Sequence, residues 1–287
     1  GDQLTIRVND VDVAEVEITD PTNERQFGLF RFTPTAGRVR RLVYRGEWPK
    51  TLPPVAEQEL AAPVDGSPIL LPNTKVTVDA DLAKSIDQLA KQKFSTRGPV
   101  ERLQTAADGL KITLQDSKGW ESWPGLAFKS PVTGDCELTI DYADLKIVPH
   151  KEGWGIALVF EAVLDDLQQS RIECSVAMNG DKPTYKTQLL RNTVDGSHHS
   201  IDFQTLHGAA VSGRLRLVRK DGQMFCLAAA EGSEDFRVLA SFAVGSSQIK
   251  EISVMGKCSD AAGKLSATIT KFQVRQAPSE KLVTERE

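Results

Sequence analysis

Period-two alternation of apolar and polar residues, broken by short turns, is the feature that most constrains the fold of this chain. Twelve such runs follow one another between residues 108 and 276, among them CELTIDY, GRLRLVR and KLSATITKFQV. Successive side chains of a β-strand point to opposite faces, so each run predicts a strand with one apolar face. Asn179-Gly180, Asp195-Gly196 and Asp221-Gly222 stand between runs and signal tight hairpins. Many short strands without a long helix predict an all-β, antiparallel jelly-roll sandwich.

The same alternation is present at the beginning of the sequence. QLTIRV and VDVAEVEI flank Asn9-Asp10 and predict a hairpin, and two further strands are predicted at 27–32 and 38–45. In order and length these four runs resemble the last four strands of the chain. We therefore expect residues 1–50 to be the closing strands of a truncated upstream jelly-roll module, and residues 108–276 to be a complete jelly roll.

Residues 51–107 have a different composition. Proline is frequent in the first part, and proline cannot donate to a strand ladder. DADLAKSIDQLAKQKF then places Leu82, Ile86 and Leu89 at helical spacing, which predicts a short helix near 80–94 capped by Asp79 or Asp81. We expect a linker that contains this helix, and a polar tail over residues 277–287.

Composition excludes several classes of protein. The formal net charge is −4 and is spread along the chain, without the basic stripe of a nucleic-acid-binding protein. No apolar run approaches the roughly 18 residues of a membrane span, so no direct membrane insertion is expected, and no signal peptide is visible. The sequence contains no phosphate-binding glycine loop and no Ser-His-Asp order, so no cofactor is expected.

The cysteines and histidines do not suggest a metal site. None of Cys136, Cys174, Cys226 and Cys258 forms a CxxC pair, and the first three alternate with apolar residues on predicted strands. Buried free thiols are therefore expected, although four cysteines leave disulfides open. The adjacent pair His198-His199 would point to opposite faces of a strand, so no metal ion is expected there.

Three stretches resemble a known superfamily. They are GDCELTIDYADLKIVPHKEGWGIALVFE (134–161), SGRLRLVRKDGQMFCLAAAEG (212–232), and RQFGLFRF with the following VYRGEWP. They resemble concanavalin A-like lectin/glucanase jelly rolls and, more narrowly, uncharacterised modules of large multidomain planctomycete bacterial proteins. The resemblance covers roughly residues 1–50 and 108–276. It implies association with glycans or the cell envelope and neighbouring jelly rolls in the same chain, but no established activity.

Three tryptophans are candidates for glycan binding. Trp120 and Trp123 lie in SKGWESWPG, and Trp154 lies in KEGWG, all near predicted loops of a chain with only 6% aromatic residues. An exposed indole can pack on sugar C–H groups while polar neighbours bind the hydroxyls. Because tryptophan is heavily buried on average, packing in a core or hinge remains an alternative. The first hypothesis is a non-catalytic binding or structural module for glycans or a cell-surface polymer.

A catalytic alternative uses the carboxylates Asp135, Glu137 and Asp141. Residues two apart on a strand lie about 7 Å apart, and a glycosidase pair needs roughly 5–9.5 Å. Asp135 and Glu137 meet that condition, whereas Glu137 and Asp141, about 13 Å apart, do so only if their side chains lean inward. A polar outer face of the strand explains the same pattern. A glycoside hydrolase and a pure scaffold therefore remain alternatives.

Overall fold

A computed structural model describes residues 2–8, 11–18, 64–66, 69–115, 123–148, 156–179, 182–192, 198–258 and 263–278. The chain divides into two units, Gly1–Thr51 and Leu52–Glu287.

The described part of the first unit is a two-stranded antiparallel sheet. Strands β1 (Asp2–Val8) and β2 (Val11–Ile18) pair with Leu4 opposite Val16, and the register shifts at Ile6 and Arg7. This pairing confirms the predicted hairpin. The strands predicted at 27–32 and 38–45 lie outside the described residues, so the assignment of residues 1–50 to a truncated module stays a prediction.

The second unit is an antiparallel β-sandwich, which confirms the predicted fold class. In its described part, every strand pair is antiparallel, and the strands form two sheets. The seven-stranded sheet has the order β13-β12-β11-β10-β17-β8-β5. Its strands are β5 (Phe94–Arg97), β8 (Gly125–Phe128), β10 (Ile156–Leu164), β11 (Arg171–Asn179), β12 (Lys182–Asn192), β13 (His198–His207) and β17 (Ile249–Cys258).

The second sheet contains nine described strands. Eight follow the order β3-β16-β15-β14-β9-β18-β7-β6, and β4 pairs with the end of β18. The strands are β3 (Val64–Asp65), β4 (Lys75–Ala80), β6 (Leu103–Ala106), β7 (Gly109–Leu114), β9 (Cys136–Val148), β14 (Gly213–Lys220), β15 (Gln223–Ala230), β16 (Arg237–Ala243) and β18 (Lys264–Gln276).

Alternation along the strands builds the core between the sheets. On β9, Cys136, Leu138 and Ile140 are fully buried and point inward. Phe272 of β18 meets Phe94 from the other sheet, with ring centroids 5.1 Å apart at an interplanar angle of 83°. Burial of such a side chain stabilises the fold by about 1.5–3 kcal/mol, so the core between the two sheets is a main source of the stability of the sandwich.

The turn between β14 and β15 has the conformation that its sequence predicts. Asp221 and Gly222 have φ angles of 51° and 73°. Two successive positive φ values match the right-handed twist of the flanking strands, and Asp and Gly tolerate them. The four cysteines are buried and form no disulfide, and for Cys136, Cys174 and Cys226 this burial is what the alternation predicts.

Residues 75–106 differ from the sequence-based expectation of a linker. They supply β4 to the nine-stranded sheet, β5 to the seven-stranded sheet, and β6 beside β7. These strands have four to six residues, and much of β4 and β6 is exposed, so no apolar alternation reveals them. A short helix is present in the predicted stretch, α1 (Ile86–Ala90), but a capping box between Ser85 and Gln88 starts it.

Candidate ligand-binding face

The outer face of the seven-stranded sheet carries a row of polar side chains across neighbouring strands. Glu161 of β10 lies opposite Glu173 of β11 on one side and opposite Ser253 of β17 on the other. Gln188 of β12 continues the row beyond Glu173, and Ser95 of β5 lies at its far end. The inward positions of β10 are apolar, so the period of two places these polar groups on the face away from the core.

The centre of the row is a pair of buried glutamates. Glu161 is 1% exposed and Glu173 is 3% exposed. Directly opposed residues of antiparallel strands have Cβ atoms about 4.5–5.5 Å apart. Two carboxylates at that separation repel each other in a region from which water is excluded, so each needs a positive or hydrogen-bonding partner.

Each glutamate has such partners. Arg97 Nη1 lies 3.4 Å from Glu161 Oε1, and the Ser253 hydroxyl donates to the same oxygen at 3.3 Å. Lys257 Nζ lies 2.7 Å from Glu173 Oε1, and Gln188 Nε2 donates to Glu173 Oε2. The buried pair is therefore held in place from both sides of the row.

Arg97 lies on the edge strand β5, with β8 and β17 between it and Glu161, and it can reach the pair because β8 has only small residues on this face. Strand β8 presents Gly125 and Ala127 on the outer face. A Cβ at Gly125 would lie 2.4 Å from the carbonyl oxygen of Val254, so larger residues do not fit. The arginine therefore lies across β8, with Nη1 3.3 Å from Met255 Sδ and Nη2 2.5 Å from Glu251 Oε1.

The pKa of Glu161 is raised above the ordinary value of a glutamate. Burial raises it to about 7, with repulsion from Glu173 acting in the same direction. The positive charges of Arg97, Arg171 and Lys257 lower it and offset part of this effect. A carboxyl of this kind holds a proton near neutral pH and can donate a hydrogen bond or a proton.

Of the three tryptophans predicted to bind glycans, Trp123 lies among the described residues, and it borders this face. Its indole Nε1 donates to the carbonyl oxygen of Cys258 at 2.8 Å, and Lys257 Nζ lies 5.1 Å from the ring centroid. The side chain is half-buried. The lysine that pairs with Glu173 thus also contacts Trp123. Trp120 and Trp154 lie outside the described residues, so their role stays a prediction.

The carboxylates of the catalytic hypothesis lie on the nine-stranded sheet instead. Glu137 and Asp141 point from β9 to its outer face, where Arg214 Nε lies 2.9 Å from Asp141. Asp135 precedes the strand and accepts a hydrogen bond from the Asp221 amide at 3.2 Å. The structure gives each carboxylate its own partner, and their catalytic role stays a prediction.

The chain itself covers the face around Glu137. The Leu71 amide donates to Glu137 at 2.7 Å, and Arg216 Nη1 lies 3.7 Å from the same carboxylate. Residues 69–71 pack on an apolar cluster that includes Phe236. The Arg216 guanidinium lies 4.0 Å from the Phe236 ring centroid. Glu137 is 4% exposed, and its contacts anchor this covering segment.

Sequence reasoning missed Glu161, Glu173 and Arg97. A signal was present for the first of them, because Glu161 is the one charged residue in the otherwise apolar run IALVFEAVL. An acid in such a run is costly to bury without a partner. The partner, Arg97, is 64 residues away in the chain, and its approach depends on the register of four neighbouring strands.

Two negative findings concern the described residues alone. No group of three or more His, Cys, Asp or Glu side chains among them could hold a metal ion. No helix in the described part of the chain is long and apolar enough to cross a membrane. His198 and His199 begin β13, but their side chains lie outside the described part.

Several solved structures are similar in fold. A legume lectin-like domain from Entamoeba histolytica matches with a TM-score of 0.49 at 11% identity, over 70% of this chain and 97% of that one. The CBM2 module of the Lactobacillus casei BL23 phage J-1 evolved Dit matches with a TM-score of 0.49 at 8% identity, over 70% of this chain and 95% of that one. A Bacteroides ovatus mixed linkage glucan GH16 structure matches with a TM-score of 0.48 at 9% identity, over 69% of this chain and 99% of that one.

No curated protein matches the chain. Two family models do match. A domain of unknown function, DUF1583_N, matches residues 1–51, and the C domain of a protein of unknown function, DUF1583, matches residues 55–283. The second match covers most of the sequence, and the chain therefore belongs to the DUF1583 family.

Proposed function

We propose that the second unit is a non-catalytic polysaccharide-binding module whose ligand lies on the outer face of the seven-stranded sheet, beside Trp123. The observation that carries this proposal is the contact of Trp123 with Lys257, which continues into the polar row through Glu173 and Gln188. Sugar sites combine an aromatic ring, which packs on C–H groups, with a few fixed polar groups that bind hydroxyls.

The polar groups of this face are held in fixed positions. Lys257 is bound to Glu173, and Arg97 is bound to both Glu161 and Glu251. Their side chains are still 26% and 28% exposed, so they can donate further hydrogen bonds to a ligand. A preorganised site loses little side-chain entropy on binding, which favours recognition of a flexible polymer. Attachment to a cell-surface polymer, next to other domains of a longer protein, is part of this proposal.

The test is a binding measurement on a panel of soluble polysaccharides, namely β-glucan, xylan and polygalacturonate. Calorimetry compares wild type with Trp123→Ala and Trp123→Phe. We expect the alanine variant to bind about tenfold more weakly or worse, and the phenylalanine variant to retain part of the affinity. Leu167→Ala is the control, since Leu167 is fully exposed. If no polysaccharide binds wild type, or if Trp123→Ala binds normally, the proposal fails.

Glycoside hydrolysis is a second candidate function, favoured by the environment of the two glutamates. Glu161 has its pKa raised to about 7 by burial, whereas Glu173 is paired with Lys257. A carboxyl with a raised pKa opposite a second carboxyl is an arrangement that glycosidases use. Glu161 would protonate the glycosidic oxygen, and Glu173 would attack the anomeric carbon or activate a water molecule.

The variants Glu161→Gln and Glu173→Gln test this second candidate on the same polysaccharides, with release of reducing ends as the readout. Each should abolish any activity that wild type shows, while Glu137→Gln, on the other sheet, should retain it. The reverse outcome would instead support Asp135, Glu137 and Asp141 as the catalytic residues. Absence of hydrolysis by wild type excludes both catalytic hypotheses for these substrates.

A further inference from the structure

On the outer face of the seven-stranded sheet, the acidic side chains are more deeply buried than the basic side chains that pair with them. The carboxylates of Glu161, Glu173 and Glu251 are 1%, 3% and 17% exposed. The cations that pair with them, Arg97 and Lys257, are 28% and 26% exposed. A molecule that approaches this face therefore meets the ends of the basic side chains before it meets an acid.

Two further cations on the face are incompletely paired. Lys186 of β12 lies opposite Ser175 of β11, two residues from Gln188. No carboxylate among the described residues pairs with its ammonium group, and burial lowers its pKa. The buried Nε of Arg171 likewise has no hydrogen-bond partner within the described part of the chain. Both groups would gain from an anion that enters the face.

The positions of these cations suit a chain rather than a single sugar. Lys186 lies on β12, whereas the Arg97 guanidinium lies over β17, where it contacts Met255 and Glu251. At a strand spacing of about 4.8 Å, β12 and β17 are about 14 Å apart, which is longer than one sugar residue. Trp123 borders the same face and offers a ring for stacking, which a sugar can use and an unstructured acidic peptide cannot.

We propose that the ligand is an acidic polysaccharide of the polyuronate class, whose carboxylates pair with Lys186, Lys257, Arg171 and Arg97 while one sugar ring packs on Trp123. Planar guanidinium groups bind carboxylates in a bidentate manner, and ammonium groups bind them as point charges. The inference rests on the proposed polysaccharide-binding function and specifies its substrate class.

The experiment measures the affinity of the full chain for three polymers by calorimetry. They are polygalacturonate, the same polymer with its carboxyls methyl-esterified, and poly-L-glutamate. Esterification removes charge but keeps the sugar backbone, and polyglutamate keeps charge but has no sugar ring. We expect polygalacturonate to bind at least tenfold more tightly than either of the others, and its affinity to fall as salt is raised from 50 to 300 mM.

A matched pair of variants locates the site. Lys186→Gln should weaken binding of polygalacturonate about threefold to tenfold, because it removes a cation that supports no described ion pair. Lys111→Gln removes an exposed cation from the other sheet and should leave the affinity unchanged. The esterified polymer should bind both variants and wild type alike.

The outcomes separate this inference from the proposed function. If neutral polysaccharides bind as tightly as polygalacturonate and Trp123→Ala abolishes binding, the acidic-ligand inference is overturned and the binding function stands. If polyglutamate binds as tightly as polygalacturonate, recognition is by charge alone and the inference is overturned. If no polysaccharide binds wild type, both the inference and the proposed function fall.

Discussion

Glu161 and Glu173 face each other across strands β10 and β11, at the centre of a sheet face, and both are almost completely buried. Two like charges on directly opposed residues destabilise a fold unless positive or hydrogen-bonding groups compensate them. Arg97 and Ser253 compensate the first, and Lys257 and Gln188 compensate the second. Buried pairs of like charges with perturbed pKa values are concentrated at functional sites of proteins.

The first prediction concerns the pH dependence of stability. A carboxyl whose pKa is raised in the fold contributes stability that is fully present below its unfolded pKa and is lost as pH rises through the folded value. For Glu161 the window runs from 4.5 to about 7. Wild type should lose on the order of 3 kcal/mol of unfolding free energy across this window relative to Glu161→Gln. Urea unfolding at several pH values measures the difference.

Parallel stability curves for wild type and Glu161→Gln would show that Glu161 titrates normally. A Glu137→Gln variant serves as the control for an acid on the other sheet.

The second prediction concerns Arg97, which pairs with Glu161 and Glu251. Arg97→Ala leaves a buried carboxylate without its cation, and we expect a loss of about 2–4 kcal/mol in unfolding free energy. Lys84→Ala breaks an exposed pair with Asp81 and should cost less than about 0.5 kcal/mol. Chemical denaturation of both variants tests the contrast. Equal effects would mean that the Arg97 contacts contribute no more than a surface ion pair.

The third prediction concerns the role of Glu137. Its carboxylate accepts from the Leu71 amide at 2.7 Å, so Glu137→Ala should release residues 69–71 from the sheet. We expect a loss of about 1–3 kcal/mol and a large fall in the hydrogen-exchange protection of the Leu71 amide. Glu137→Gln keeps an acceptor oxygen and should preserve most of that protection. An unchanged Leu71 amide in the alanine variant would contradict the anchoring role.

The fourth prediction concerns the thiols. All four cysteines are buried, and burial raises the pKa of the Cys136 thiol to about 11. Thiolates are the reactive form, so a thiol reagent should label none of them in the folded protein and all of them in denaturant. Labelling should proceed at the rate of unfolding. Fast labelling of one thiol under native conditions would show that its strand opens locally.

The sequence predicts much of this architecture because alternation is a local property. Leu138 and Ile140 are recognisable as inward residues without knowledge of any partner strand, and Asp221-Gly222 indicates its own turn. Strands β5 and β6 are not recognisable, since four residues do not establish a period. The candidate site is harder to predict, because the pairing of Glu161 with Arg97 depends on strand register rather than on sequence spacing.

The central claim is that the outer face of the seven-stranded sheet is the ligand-binding face, and NMR titration tests it most directly. The indole N–H of Trp123, assigned with Trp123→Phe, is a probe for this face, and the side-chain N–H of Arg216 is a probe for the other. Addition of polygalacturonate should shift the Trp123 signal and leave the Arg216 signal unchanged. Shifts confined to Arg216, or no shift at Trp123 when the polymer is bound, would contradict the account.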